Sequence, residues 1–112
     1  MAVDAAGDVY VVDNRSSRVL KLPAGSNTQS ELPFTDLDEP AGVAVDTVGN
    51  IYVTDIGGGD GLVLKLPAGS NTQSKPSFIG PNLQPEGVAV DPARNVYVTD
   101  MLKNRVLKLP AQ

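Results

Sequence analysis

The sequence predicts an all-β fold made of repeated four-stranded units. The first observation is internal repetition, because "AVDAAGDVYVVD", "AVDTVGNIYVTD" and "AVDPARNVYVTD" begin at residues 2, 44 and 89. Repeats with a period of about 20 to 50 residues are typical of solenoids, propellers and arrays. The second observation is that short runs rich in Val, Tyr, Ile and Thr are bounded by Gly, Pro, Asn or Asp, with no stretch of helical period between them. Together these features indicate a β-propeller, whose units are called blades.

Each blade is predicted to contain four strands, ordered from the ring axis outward. The first strand places a small residue, Ala2, Ala44 or Ala89, where the blades converge and space is scarce. The second strand, such as "DVYVVD", is apolar on both faces, as expected of a sheet that is stacked between two neighbours. The third strand is "RVLKL" or "LVLKL". The fourth holds Pro33 or Pro76, and proline is tolerated only at the edge of a sheet.

The chain is predicted to hold about three blades and eleven strands. Blade one covers residues 1–42, blade two 43–87 and blade three 88–112, the last without its fourth strand. Three blades leave two broad apolar faces uncovered, whereas a closed ring normally needs about four to eight blades. Two copies arranged head to tail around a twofold axis would give a closed six-bladed ring. We therefore expect a homodimer, and the alternative is a fragment of a longer gene.

The composition excludes several classes of function. The net charge is −4, so the clusters of Lys and Arg that contact nucleic-acid phosphates or an anionic membrane are not expected. Histidine is absent, which removes the commonest general base and zinc ligand, and cysteine is absent too. No membrane-spanning stretch or export leader is visible, so we expect a soluble chain. No catalytic residue, metal ligand or cofactor is predicted.

An aspartate opens the turn between the first and second strands of every blade: Asp4, Asp46 and Asp91. We interpret these residues as turn formers that accept hydrogen bonds from the backbone ahead. The alternative is a ring of carboxylates that binds a cation at the channel mouth. Gly7 and Gly49 are expected to supply a left-handed conformation in this turn, and Arg94 takes that position in blade three. If the backbone conformation persists there, arginine costs about 1 kcal/mol.

A second aspartate ends the second strand of every blade: Asp13, Asp55 and Asp100. Arg18 and Arg105 begin the third strand of blades one and three, whereas blade two has Leu62 at that position. The repetition favours a structural ion pair or hydrogen bond within or between blades over a binding site. Because blade two lacks the arginine, Asp55 is expected to be freer to meet a ligand.

Blade two also contains the loop "GGGDG" at residues 57–61. Its residues Gly57, Gly58, Gly59 and Asp60 form a candidate loop binding site, because exposed loops on a rigid scaffold often carry function. The alternative is a flexible hairpin loop without a ligand. A phosphate-binding loop is not expected, since no Lys-Ser/Thr follows and the next element is a strand.

The repeating unit resembles an NHL repeat. The resemblance is carried by "GVAVD" at 42–46 and 87–91, "NIYVTD" at 50–55, "NVYVTD" at 95–100, "NRVLKLPA" at 104–111 and "PAGSNTQ" at 23–29 and 67–73. The chain is similar to the extracellular sensor propeller of bacterial, particularly actinobacterial, receptor serine/threonine protein kinases, and to designed six-bladed propellers derived from it. This resemblance implies a six-bladed ring with a role in binding or sensing, located outside the cell if the chain belongs to such a receptor. It implies no particular ligand.

Three functions are compatible with these features. The repeat, the acidic charge and the lack of a catalytic set favour a non-catalytic scaffold or binding module. Its partners would be a second copy of the chain and a protein or small ligand at the channel mouth. The second hypothesis is an engineered or truncated propeller fragment whose only activity is self-assembly. The third is a metal-dependent hydrolase or lyase, which would need ligands converging on the axis.

Overall fold

The computed structural model describes residues 1–57, 60–74, 77–81 and 84–110. Over these ranges the chain forms eleven strands. They are β1 (Ala2–Val3), β2 (Val9–Asp13), β3 (Arg18–Leu22), β4 (Ser30–Glu31), β5 (Pro40–Val45), β6 (Ile51–Gly57), β7 (Asp60–Leu66), β8 (Ser77–Pro81), β9 (Pro85–Val90), β10 (Val96–Asp100) and β11 (Arg105–Leu109). No helix in the described part of the chain is long and apolar enough to cross a membrane.

The strands form three separate antiparallel sheets, with the orders β1-β2-β3-β4, β5-β6-β7-β8 and β9-β10-β11. The all-β class is therefore confirmed, and over the described residues the three sheets contain four, four and three strands. The blade boundaries assigned from the sequence, at 42/43 and 87/88, fall inside β5 and β9. Both strands begin with a proline, and their pairing with the next strand is irregular at that end. The register of the β5–β6 pair shifts between Pro40 and Val43, and that of the β9–β10 pair shifts between Val98 and Asp100 of β10.

Equivalent residues of the sheets pair in the same register. In the middle sheet Val53 lies opposite Val43 on one side and Leu64 on the other. In the third sheet Val98 lies opposite Val88 and Leu107. A one-residue slip would move every side chain of a strand to the other face of its sheet. The shared register therefore means that corresponding side chains of different blades point in corresponding directions.

The sheets are stacked face to face, with the middle sheet between the other two. One apolar core joins Tyr10 and Val19 of blade one to Val43, Ile51, Val53 and Leu66 of blade two. A second core joins Tyr52 and Val63 of blade two to Val96 and Val98 of blade three. The central strand β6 is buried on both faces from Ile51 to Asp55, as its apolar sequence predicts.

The inner strands approach one another closely, as the small residues of the first strand predict. Strand β5 contacts β9 on one side and β1 on the other. A Cβ atom built on Gly42 would lie 2.6 Å from the carbonyl oxygen of Glu86. This distance is too short for any side chain unless the backbone moves. Glycine at this position therefore sets how closely blades two and three can approach.

The fourth strand of blade one is shorter than predicted. Strand β4 covers only Ser30 and Glu31, and one more backbone bond, from Leu32 N to Val19 O, extends the pairing. Pro33 then follows outside the strand, because proline has no N–H to continue the ladder. The expectation that Pro33 lies within the strand was wrong, and Pro76 lies outside the described residues.

Candidate functional site

The aspartates that open the first turns are hydrogen-bonded acceptors. In blade two, Asp46 Oδ1 accepts hydrogen bonds from the backbone N–H of Val48 at 3.1 Å and of Asn50 at 2.9 Å. Its Oδ2 accepts from Asn50 Nδ2 and from the hydroxyl of Tyr52, both at 2.8 Å. The carboxylate therefore ties the turn to the following strand β6.

The same arrangement recurs in the other two blades. Asp4 accepts from the backbone N–H of Ala6 and Asp8 and from the Tyr10 hydroxyl at 2.8 Å. Asp91 accepts from the backbone N–H and side-chain amide of Asn95 and from the Tyr97 hydroxyl at 2.9 Å. Sequence reasoning placed these tyrosines in the core and missed their hydroxyl bonds. The signal for them is the repeated order Asp, then Asn or Asp four residues later, then Tyr two residues after that.

The protonation states of this cluster suit a structural role. Burial raises the pKa of Asp46, but hydrogen bonds from Asn50 and Tyr52 outweigh it, so the pKa lies below its ordinary value of 3.8. Burial, followed by the hydrogen bond to Asp46, raises the pKa of Tyr52 to about 12. At neutral pH the aspartate is therefore a fixed acceptor and the tyrosine a fixed donor, and neither group is poised to exchange a proton.

The three turns line a pocket of about 200 Å³ at one end of the inner strands, to which Asp4, Asp46 and Asp91 contribute. A second pocket, of about 290 Å³, includes Asn14, Glu39, Gln84 and Glu86. Within the described ranges, no group of three or more acidic residues has the arrangement needed to hold a metal ion. The first pocket thus brings together the three predicted aspartates, whose oxygens are engaged by their own turns.

The aspartates at the ends of the second strands meet the predicted arginines in two blades. Asp13 Oδ2 lies 3.0 Å from Arg18 Nε, and Asp100 Oδ2 lies 3.2 Å from Arg105 Nε. The hydrogen bond from Arg18 lowers the pKa of Asp13. Burial raises the pKa of Asp100, but hydrogen bonds from the Gln84 backbone and from Arg105 leave it lowered overall.

Asp55 differs from its two counterparts because Leu62 replaces the arginine. It is only 1% exposed, and its carboxylate accepts hydrogen bonds from the backbone N–H of Asp38 at 3.2 Å and of Glu39 at 2.7 Å. Burial raises the pKa of Asp55 despite these bonds. The expectation that Asp55 is freer to meet a ligand was therefore wrong. The chain that leads from blade one into blade two covers it instead.

The loop of blade two is only partly described. Gly57 pairs with Asp60 at the end of the β6–β7 ladder, and Asp60 also pairs with Pro81 of β8. Gly58 and Gly59, which complete the candidate loop binding site, lie outside the described residues. The proposal of a ligand at this loop remains a prediction.

Side chains that sequence reasoning did not single out connect blade one to blade two. Gln73 accepts a hydrogen bond from the backbone N–H of Thr35 at 2.9 Å and donates one to its carbonyl at 3.2 Å. Asn14 Nδ2 donates to the Pro40 carbonyl at 2.8 Å. Both side chains bind main-chain atoms of the neighbouring blade. Because every residue type offers such atoms, a sequence pattern gives little indication of these contacts.

Each blade has a leading face, which meets the preceding blade, and a trailing face, which meets the following one. The leading-face valines Val53 and Val98 are both 0% exposed, whereas their equivalent in blade one, Val11, is 41% exposed. On the trailing faces Val19 is 0% and Val63 5% exposed, whereas their equivalent in blade three, Val106, is 65% exposed. Blade one therefore presents an open leading face and blade three an open trailing face.

Comparison with known proteins supports the propeller fold. A family model described as "Beta-propeller repeat" matches residues 35–54. A solved structure titled "Streptogramin B lyase structure" is similar with a TM-score of 0.74 and 19% sequence identity, covering 96% of this chain and 38% of that chain. The chain thus spans well under half the length of that structure, and a likeness at this identity shows the fold alone. No curated protein matches the sequence.

Proposed function

We propose that this chain is a non-catalytic binding module of the NHL-repeat type that closes a six-bladed ring by pairing with a second copy of itself. The observation that supports this proposal is the correspondence between its open faces and its internal contacts. The open leading face of blade one has Val9, Val11 and Leu22 where the covered face of blade two has Ile51, Val53 and Leu66.

The open trailing face matches the internal contacts in the same way. Tyr97 and Val106 of blade three occupy the positions at which Tyr52 and Val63 of blade two meet blade three. An open trailing face is therefore suited to an open leading face. Because the contact is head to tail, two copies of three blades can satisfy both faces of each other at once.

The non-catalytic part of the proposal rests on what the acidic side chains already do. The carboxylates beside the first pocket accept hydrogen bonds from their own turns, and Asp55 and Asp100 are buried beneath backbone N–H groups. In the closed ring we place ligand or protein sensing at a channel mouth, because loops on a rigid scaffold are where binding sites occur. If the chain belongs to a receptor-kinase ectodomain, this mouth would be extracellular.

The ring is tested with two variants that each damage one face. Val11→Asp places a charge on the leading face, and Val106→Asp places one on the trailing face. Each variant alone should lose the dimer, because both contacts of the ring use the damaged face. A mixture of the two should regain a species of twice 11.7 kDa, since one contact in the mixed pair joins two intact faces.

Val48→Asp is the matched control, because Val48 is an exposed valine in a turn and belongs to neither face. It should leave the mass unchanged. Equal loss of the dimer in this control, or no effect of either face variant, would contradict the proposed assembly. Circular dichroism of every variant confirms that the β-structure is retained.

A further inference from the structure

The outer edge of β11 repeats an edge that is covered elsewhere in the chain. Strands β3 and β11 have the identical sequence "RVLKL". The outer edge of β3 pairs with β4, and that of β7 pairs with β8. In the part of the chain that the structure describes, the third sheet ends at β11. The covered edges therefore show which main-chain groups β11 offers and what kind of segment fits them.

In each of the first two blades, a residue of the third strand accepts a main-chain hydrogen bond at the outer edge of that strand. Leu32 N donates to Val19 O at 2.8 Å in blade one, and Ser74 N donates to Lys65 O at 2.8 Å in blade two. The equivalents of Val19 and Lys65 in β11 are Val106 and Lys108. An added antiparallel segment would thus pair with the main chain of Val106 and Lys108.

The segment that covers such an edge also brings apolar side chains to the core between blades. Leu32 and Phe34 pack against the cluster that contains Val19, and Ile79 packs against the cluster that contains Val63. Val106, the equivalent of both valines, is exposed. A strand with apolar residues at alternate positions would reduce this exposure while its backbone pairs with β11.

A glutamine side chain of the following blade binds the main chain just beyond the C-terminal end of such a segment. In the existing contact, Gln73 of the following blade holds the N–H and carbonyl of Thr35, just past β4. Gln29 has the equivalent place in the first blade and is exposed. In the closed ring, blade one of the second copy follows blade three, so its Gln29 would hold the segment that leaves β11.

We propose that β11 binds an extended peptide as a fourth, antiparallel strand. The partner is an extended segment with apolar side chains spaced as Leu32 and Phe34 are, and without charges at those two positions. Strand addition of this kind derives affinity from main-chain hydrogen bonds and specificity from alternate side chains. The Gln29 contact rests on the proposed ring, whereas the pairing with β11 does not.

The test uses a fluorescently labelled peptide with the sequence of residues 26–36, "SNTQSELPFTD", and the 112-residue chain. Fluorescence anisotropy should show saturable binding. Lys108→Pro removes an outward-facing N–H without interrupting the β10 side of the strand, and should weaken binding at least about tenfold. Lys108→Ala, the matched control, keeps the N–H and should bind within about threefold of the original chain.

A modified peptide makes the test independent of protein folding. Methylation of the backbone nitrogen of the leucine that corresponds to Leu32 removes the donor for the Val106 carbonyl, and should also weaken binding at least about tenfold. Absent binding, or equal binding of the methylated peptide, would overturn the inference while leaving a ring detected by its mass intact. Peptide binding to a monomeric chain, with no effect of Gln29→Ala, would instead support the β11 site and contradict the ring.

Discussion

The hydroxyl of Tyr52 donates a hydrogen bond to Oδ2 of Asp46, 2.8 Å away, and both residues are buried. This bond closes a turn and anchors the central strand of the middle blade. Tyr52→Phe should lower the free energy of unfolding by about 1.5–3 kcal/mol, because a buried carboxylate loses a donor. Urea denaturation measures the change.

The same substitution at Tyr97 is the internal control. Its hydroxyl makes the equivalent bond to Asp91, which is less buried than Asp46 and can recover a donor from water. Tyr97→Phe should therefore cost less than Tyr52→Phe. Equal losses at the two positions would show that burial does not determine the strength of this bond.

Arg94 occupies the turn position of Gly49 and has a positive φ of 68°. Arg94→Gly should stabilise the chain by up to about 1 kcal/mol through relief of the left-handed conformation. The reverse change, Gly49→Arg, should destabilise it by at least about 1 kcal/mol, because Gly49 has a φ of 95°.

Arg94 also carries a positive charge, which partly offsets the rise in the pKa of Tyr52 that burial and Asp46 cause. Arg94→Asn separates the two effects, since asparagine tolerates the left-handed conformation but has no charge. A loss of stability in both Arg94→Gly and Arg94→Asn would mean that interactions of the arginine side chain, rather than the strain, dominate at this turn. Thermal unfolding of the three variants distinguishes these outcomes.

Asp55 should respond to acid in the opposite sense to Asp13 and Asp100. The pKa values of Asp13 and Asp100 are lowered, so their stabilisation is present above 3.8 and is lost as the pH falls through their folded pKa values. The pKa of Asp55 is raised, so protonation of Asp55 favours the folded state as the pH falls toward 3.8. Asp55 thus offsets part of the acid destabilisation.

Leu62→Arg should remove this offset. An arginine at this position would lower the pKa of Asp55, as Arg105 lowers that of Asp100. The loss of unfolding free energy between about pH 7 and about pH 3.5 should then grow by up to about 1 kcal/mol. Leu62→Gln controls for polarity without charge. An identical pH dependence in all three proteins would contradict the assigned role of the missing arginine.

The Gln73 side chain holds blade one through the main chain of Thr35. Gln73→Ala should cost about 0.5–1.5 kcal/mol, because two neutral hydrogen bonds at a partly exposed position are lost. Gln29→Ala is the matched control within the monomer, where that residue is exposed. Amide hydrogen exchange of residues near Thr35 should accelerate only in Gln73→Ala. Unchanged exchange would contradict a stabilising role of the Gln73–Thr35 hydrogen bonds.

The sequence predicts the strand order well because each strand has its own local signal. Short β-branched runs and turns opened by an aspartate recur three times, so an error in one unit is corrected by the others. The positive φ of Arg94 was predictable in the same way, from the glycines at the equivalent positions.

The contacts of Asp55 were not predictable from the sequence, because its partners are backbone groups of the segment that connects blade one to blade two. The absence of an arginine at Leu62 suggested a free carboxylate, whereas the backbone N–H groups of Asp38 and Glu39 donate hydrogen bonds to it. Likewise Gln73 binds main-chain atoms, which every residue type offers. When a side chain binds the backbone of a distant segment, the residue types of that segment are not constrained, so its sequence carries no pattern that predicts the contact.

Light scattering coupled to size exclusion, run at two protein concentrations, tests the ring directly. The repeated face contacts predict a species of twice 11.7 kDa whose mass does not change between the two concentrations. A mass of 11.7 kDa at both would contradict closure by a second copy.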